Sequence, residues 1–255
     1  MKSGTQVRTA NTVDILGVPF STLSFADTIK LILSWMEDGL PRQVVTANPE
    51  IVMFANQNRE MMSLLQRADL ITPDGIGVVY AARLFGSRIV ERVTGADMLP
   101  PLFENAHLEG WPVYLLGANP ESNRLALENL SRIYPNMKLA GRDGFFKEQD
   151  IPGIIEDIRR QSPRLLLVGL GLGKQERFIA DHLHELNVPV SIGVGGCIDI
   201  YAGTVKRAPS FWRKMQLEWL YRLLKQPSRW RRQLALPRFA VAVLRQRFLT
   251  RSGRI

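Results

Sequence analysis

Short β-branched and apolar runs alternate with longer stretches of helical period along most of the chain, and this alternation narrows the fold more than any other feature. Runs at 43–46, 69–72, 112–116, 164–168 and 189–194, with a weaker one at 137–140, read as strands. Between them, 24–37, 50–66, 121–133, 151–160 and 174–186 carry apolar residues at helical spacing. Strands that take turns with helices pair in parallel, with the helices covering the sheet. The expected fold is therefore α/β: a Rossmann-like, mostly parallel sheet with helices on both faces. No internal repeat and no low-complexity linker interrupts the pattern. A chain of 255 residues with 45% hydrophobic and 22% charged side chains has the composition of an ordinary globular protein with a sizeable core.

Charge divides the chain unevenly. Residues 206–255 hold 14 Lys and Arg against one acid, Glu218, whereas the preceding 205 residues hold 19 basic and 23 acidic side chains. A slightly acidic body thus carries a strongly cationic segment. Within that segment Trp230, Leu234, Pro237, Val241, Leu244 and Phe248 recur at steps of four and three, one stripe of a helix, while Arg229, Arg231, Arg232, Arg238, Arg245 and Arg247 fall mostly elsewhere. A basic amphipathic helix of this kind suits an anionic membrane surface, and Trp212, Trp219, Tyr221 and Trp230 suit the headgroup level. Nucleic-acid phosphates or the chain's own body are the alternative surfaces for such a helix.

Three divisions follow: a flexible N-terminus over 1–12, a Rossmann-like domain over 13–205, and a basic helical appendage over 206–255. The first residues lack the apolar core of a signal peptide, and the greasy tract near the end is broken by Pro237 and Arg238, short of a span. The single cysteine, Cys197, rules out an internal disulfide and a cysteine-rich metal cage. The expected location is cytoplasmic, peripheral on the inner face of the plasma membrane. Oligomeric state is not written in the sequence, and a homo-oligomer is left open.

In a parallel α/β fold, ligands bind where the carboxyl ends of strands lead into helices. The chain's unusual residues fall at those junctions. Thr46, Asn48 and Pro49 follow the first strand, Asp74 and Gly75 the second, Asn119 and Pro120 the third. Asn48, Asp74 and Asn119 are also good helix N-caps, and proline suits the first helical position, so capping and catalysis compete as explanations. Two glycine clusters, Gly169, Gly171 and Gly173, then Gly193, Gly195 and Gly196, follow later strands. Their amides and the helix opening at Lys174 would suit an anion such as a pyrophosphate. The spacing is not the dinucleotide fingerprint, and no acid ends the strand that follows, which argues against a dehydrogenase.

Other chemistries are missing their parts. His107, His182 and His184 sit on helices away from the strand ends, no nucleophile elbow or phosphate-loop signature is present, and no Asp-x-Asp pair stands ready to hold a divalent ion. Catalysis would rest on carboxylates and fixed positive groups, with no metal and no cofactor.

Taken together, six ordered motifs resemble the WecG/TagA/CpsF glycosyltransferase family, from about Val13 to Arg232. They are Val45-Thr46-Ala47-Asn48-Pro49-Glu50, the run from Ala68 to Val78 around Asp74, Glu91-Arg92-Val93-Thr94-Gly95-Ala96-Asp97, Gly169 to Glu176, Gly193 to Gly203, and Lys206-Arg207-Ala208-Pro209 with Leu217-Glu218-Trp219-Leu220-Tyr221-Arg222. The resemblance implies an inverting, metal-independent transfer of a hexose, N-acetylmannosamine foremost, from a UDP-sugar to a polyprenyl-diphosphate-linked sugar in cell-surface polysaccharide synthesis. It assigns Asp74 as general base, Thr46 and Asn48 as sugar-orienting groups, and Arg92 to the departing diphosphate. Gly169, Gly171, Gln175, Gly195 and Asp199 would contact the nucleotide-sugar, with Arg207 and Arg222 completing the diphosphate site from the appendage. For Arg92 the structural alternative is an ion pair with Glu91 or Asp97. The chain departs from the family pattern at Gly173, usually proline, and at Cys197, usually a smaller residue. A glucosyl donor, a non-catalytic nucleotide-binding scaffold and a nucleic-acid-binding protein remain the alternatives; no nucleic acid is expected.

Overall fold

The computed structural model describes residues 12–87, 91–225, 227 and 230–251, apart from the side chains of Arg213, Lys214, Arg222, Arg231, Thr250 and Arg251. The expected flexible start lies outside these residues except for Thr12. Six strands form one parallel sheet in the order β4(Leu70–Pro73), β3(Arg42–Ala47), β8(Val190–Gly193), β7(Leu165–Gly169), β5(Pro112–Gly117), β6(Lys138–Arg142). A separate antiparallel hairpin, β1(Thr12–Ile15) and β2(Val18–Ser21), precedes them. All six sheet strands fall where the sequence expected them.

Alternate residues of each strand face opposite layers, and the core divides accordingly. Val44, Leu115, Leu167 and Ile192 pack under α1(Phe25–Asp38), α5(Gly95–Glu109), α6(Pro120–Ile133) and α9(Cys197–Ala202). On the other face Val45, Ala47 and Ile71 meet the hairpin, α2(Pro49–Gln57), α3(Arg59–Arg67) and α4(Ile76–Leu84), while Tyr114, Leu116, Leu166 and Val168 meet α7(Ile151–Gln161) and α8(Lys174–Leu186). Crossovers that step toward β4 lie on the second face and the one stepping from β5 to β6 on the first, as right-handed connections require. Each buried Leu or Ile contributes on the order of 1.5–3 kcal/mol, so this double-sided core fixes the register of the whole sheet.

Local differences from the sequence reading have local causes. The expected helix 50–66 is two, because Asn58 leaves helical geometry (φ −134°, ψ 105°) and accepts a bond from the Met61 amide as the cap of α3. α5 contains Pro100 and Pro101, which remove two backbone donors from its interior; burial of Met98, Leu99, Leu102 and Phe103 carries it regardless. The hairpin turns on Leu16 (φ 55°) and Gly17 (φ 83°), and side-chain amides of Asn56 and Gln66 donate to the two turn carbonyls while Gln246 accepts from the Leu16 amide at 3.0 Å.

The basic segment is helical: α10(Ser210–Lys214), α11(Glu218–Lys225), α12(Trp230–Gln233) and α13(Ala235–Arg251). α13 lies across α2 and α4, with Phe239 and Val243 buried in the same core as β3 and β4. The stripe read from the sequence points the other way. Trp230, Leu234, Val241, Leu244 and Phe248 are all exposed, Val241 and Phe248 by 67% and 69%. Among the described residues no helix is long and apolar enough to cross a membrane.

Candidate active site

The carboxyl end of the sheet gathers the polar junctions into one rim. Thr46 and Thr72 are register partners on β3 and β4, and the Asp74 amide donates to the Ala47 carbonyl at 2.9 Å. The Val93 amide in turn donates to the Pro73 carbonyl at 3.0 Å, which lays the stretch from Arg92 to Gly95 beside Asp74. Thr46 Oγ1 donates to the Gly193 carbonyl at 3.3 Å and its side chain lies against Gly95. Thr46, Asn48, Asp74 and Arg92, from three separate motifs, thus meet at the ends of β3 and β4. Asn48 caps α2 by accepting from the Ile51 amide, and Asn119 caps α6. Asp74 does not cap. The N-cap of α4 is Gly75, at φ 121°, and no side-chain bond closes that helix end. The capping explanation for Asp74 is therefore withdrawn.

Beside these residues two guanidinium groups converge on one carboxylate. Arg92 lies 3.6 Å from Asp97 and 3.4 Å from Glu218, and Arg207 pairs with the other Asp97 oxygen. Arg92 does not pair with Glu91, which instead accepts from the Phe25 amide. Burial pushes the Asp97 carboxyl up, but the Thr94 hydroxyl and the nearby Arg207 and Arg92 outweigh it and hold the group below its ordinary value. Arg207 Nε is buried with no hydrogen-bond partner among the described groups. The ion pair of Arg92 with Asp97 is the alternative that the sequence offers, whereas Glu218 has no expected role there. The signal for Glu218 was there, since it is the lone acid of residues 206–255.

The glycine turns are built differently from expectation. A Cβ on Gly117 would fall 2.6 Å from the Gly169 carbonyl carbon, and one on Gly169 would fall 2.8 Å from the Gly195 carbonyl oxygen. These glycines let the ends of β5, β7 and β8 approach one another. Gly171 (φ 88°) and Gly195 (φ 51°) supply left-handed turns. The amide expected to face a pyrophosphate at the start of α8 is occupied: Gly173 N–H donates to the Glu176 carboxylate at 2.7 Å. Gln175 is buried as well, its Oε1 accepting from the Gly195 amide at 3.1 Å and its Nε2 donating to Glu176 at 2.8 Å. Gln175 therefore clasps the two turns together, and α8 closes its own N-terminus. Asp199 opens α9, partly exposed, with its carboxylate near Gly196.

Two strand spacings, about 10 Å, separate the end of β4 from that of β8. Asp74 and Arg92 thus stand on one side of this part of the rim and the glycine turns with Asp199 on the other, joined by the Thr46–Gly193 bond. Helices leave β3 and β8 toward opposite faces, which opens the rim there. The Arg222 side chain lies outside the described residues. No group of three or more His, Cys, Asp or Glu side chains among the described residues is placed to hold a metal ion.

The chain is similar to known proteins over most of its length. The chain is 36% identical over 234 residues to an N-acetylglucosaminyldiphosphoundecaprenol N-acetyl-beta-D-mannosaminyltransferase of Bacillus spizizenii, covering 89% of this chain and 90% of the relative. It is 36% identical to the Bacillus subtilis protein of that name, over 83% and 82% of the two chains. To that of Staphylococcus aureus it is 33% identical, over 89% and 90%. Residues 13–253 match the glycosyl transferase WecG/TagA/CpsF family, and the chain belongs to it.

Proposed function

We propose that this glycosyltransferase moves N-acetylmannosamine from a UDP-sugar to a hydroxyl of a polyprenyl-diphosphate-linked N-acetylglucosamine, with inversion at the anomeric carbon. Asp74 accepts the hydroxyl proton as the oxygen attacks that carbon; the bond to the diphosphate breaks, and UDP leaves with its new charge beside Arg92 and Arg207. The observation that carries this reading is the meeting of Asp74 and Arg92 at one strand end, with Asp74 not employed in capping its helix. Thr46 and Asn48 border the same spot and orient the sugars; Gly169, Gly171, Gln175, Gly195 and Asp199 shape the nucleotide side. The names of the relatives support the choice of donor sugar and acceptor.

Residues 13–205 form the catalytic body on this reading, and the segment from 206 brings it to its lipid-linked substrate. The outward stripe of α13, flanked by Arg238 and Arg245, is the surface that meets an anionic bilayer on its cytoplasmic side. Each basic side chain near such a surface contributes about 1 kcal/mol of attraction.

The test is transfer itself. UDP-N-acetylmannosamine with a short-chain polyprenyl-diphosphate N-acetylglucosamine should yield the disaccharide lipid by mass spectrometry, and a panel of other UDP-hexoses should not. Asp74→Asn should lower the rate on the order of a thousandfold or more while UDP affinity stays within about threefold. Transfer at the wild-type rate in that variant removes the general-base assignment.

A further inference from the structure

The geometry points to Glu218 as a positioning residue of the donor site, one that pins the segment 210–225 to the body through Arg92. Donor binding and the placement of that segment are then coupled through the Arg92 guanidinium. The inference rests on the reading that Arg92 faces the donor diphosphate, and it adds what holds Arg92 and the segment in place.

A short helix is normally held to a body by burying an apolar stripe. α10 and α11 do this only in part: Trp212, Leu220, Tyr221 and Leu223 are half-buried and none is fully covered. Phe211, Met215, Trp219 and Leu224 are exposed by 65%, 52%, 37% and 62%. From Pro209 through Arg238, Glu218 is the one buried residue among those described. The most deeply placed side chain of this cationic stretch is thus its single acid, and it lies 3.4 Å from Arg92 across 126 positions of sequence. Both side chains are well covered, at 12% and 14% exposure, so the pair is shielded from the solvent screening that makes surface pairs weak.

Arg92 is well suited to be shared. Asp97, its other neighbour, is committed more closely to the Thr94 hydroxyl at 2.8 Å and to Arg207. At 3.6 and 3.4 Å neither carboxylate grips Arg92 bidentately, which leaves guanidinium N–H groups for a phosphate oxygen. Glu218 would hold the planar group in orientation while the same contact keeps the segment, with Lys206 and Arg207 at its base, beside the leaving group. Loss of the carboxylate therefore loosens the segment and misaims Arg92 together.

The experiment uses the full-length chain with Glu218→Gln and Glu218→Asp. Trypsin cleavage between 213 and 225 reports the pin; KM and kcat for the UDP-sugar report the coupling. Glu218→Gln should be cut there about tenfold faster and show a KM raised about tenfold, with Glu218→Asp restoring part of both. Tm should move by no more than about 2 °C, because the pair lies outside the apolar core. Saturating UDP should slow cleavage of the wild type and leave the Gln variant unprotected. Unchanged cleavage in the variant overturns the pin. A fall in KM, which would mean that the carboxylate competes with the diphosphate for Arg92, overturns the positioning role, as does a large drop in Tm that tracks the KM change. Failure of the wild type to bind UDP at all would sink the donor reading and the coupling with it, while faster cutting of the Gln variant would still uphold the pin.

Discussion

The two sides of the sheet's carboxyl rim are made of different material. At the ends of β3 and β4 the work falls to side chains, Asp74, Thr46, Asn48 and Arg92, carried on turns whose backbone bonds are satisfied within the fold. At the ends of β5, β7 and β8 it falls to backbone, because glycines there let three strands close on one another and their neighbouring amides are clasped by Gln175 and Glu176. On the first side Asn48 also caps α2 and Thr46 also holds the Gly193 carbonyl, but replacing Asp74 can remove the chemistry without removing the shape. The second can lose its shape by a single methyl group.

Asp74→Asn, whose expected effect is the largest, breaks the first side alone: transfer disappears and thermal stability stays near that of the wild type. Gly117→Ala should do the reverse. Its Cβ would press on the Gly169 carbonyl from a residue held at φ 133°, so strain and overlap add, and the expected loss is about 3–4 kcal/mol of stability. Urea unfolding followed by circular dichroism measures it. A Gly117→Ala chain as stable as the wild type, or an Asp74→Asn chain that unfolds early, would erase the distinction between the two sides.

A second contrast lies within α13, which has one apolar face turned inward and another turned out. Phe239 and Val243 belong to the core, whereas Val241 and Phe248 are among its most exposed side chains. Replacing Val241 and Phe248 together by Asp should weaken binding to anionic vesicles about tenfold or more and leave the unfolding midpoint in place. Vesicle co-sedimentation at two salt concentrations checks this. Unchanged binding would return the outward stripe to the status of ordinary solvated surface.

What the sequence made legible follows the range of the interactions involved. Five of the six sheet strands are short, largely apolar runs buried on both faces, and such runs announce themselves locally; the edge strand β6, Lys-Leu-Ala-Gly-Arg, is only half-buried and gives the weaker signal. The hairpin does not: its strands have four residues each, one holds Pro19, and Leu16-Gly17 is not a strong turn signal. α4 begins without a capping side chain, and α5, though capped by Thr94 and closed by Gly110, carries two prolines that interrupt its helical signal. Within the site, Asp74 could be placed at a strand end, but whether it capped a helix depended on the backbone of Gly75. Glu218 stands out as an odd charge within the last of the six motifs, but its contact with Arg92 is not legible, since the partner lies far away in sequence and no local pattern encodes it.

The smallest expected effect sharpens the contrast between side chains and backbone from beneath the glycine turns. Glu176 is 2% exposed, and burial raises its carboxyl above the ordinary 4.5, with bonds from Gln175 and from the Glu176 and Gly173 amides acting against that rise. A folded-state value above the unfolded one means that the folded chain binds this proton more tightly. The stability contributed is then full below 4.5 and is lost as the pH rises through the raised value. Glu176→Gln cannot titrate, so the wild type should gain stability relative to it as the pH is lowered from neutrality toward 4.5, with the difference levelling off below. Parallel melting curves at a series of pH values measure the slope, and other titrating groups cancel because both chains carry them. A slope of opposite sign would mean that the amides of Gly173 and Gln175 stabilise the ionised carboxylate more than burial penalises it. Glu176 would then act as a fixed charge under the nucleotide side of the rim, and that side could no longer be described as built from backbone alone.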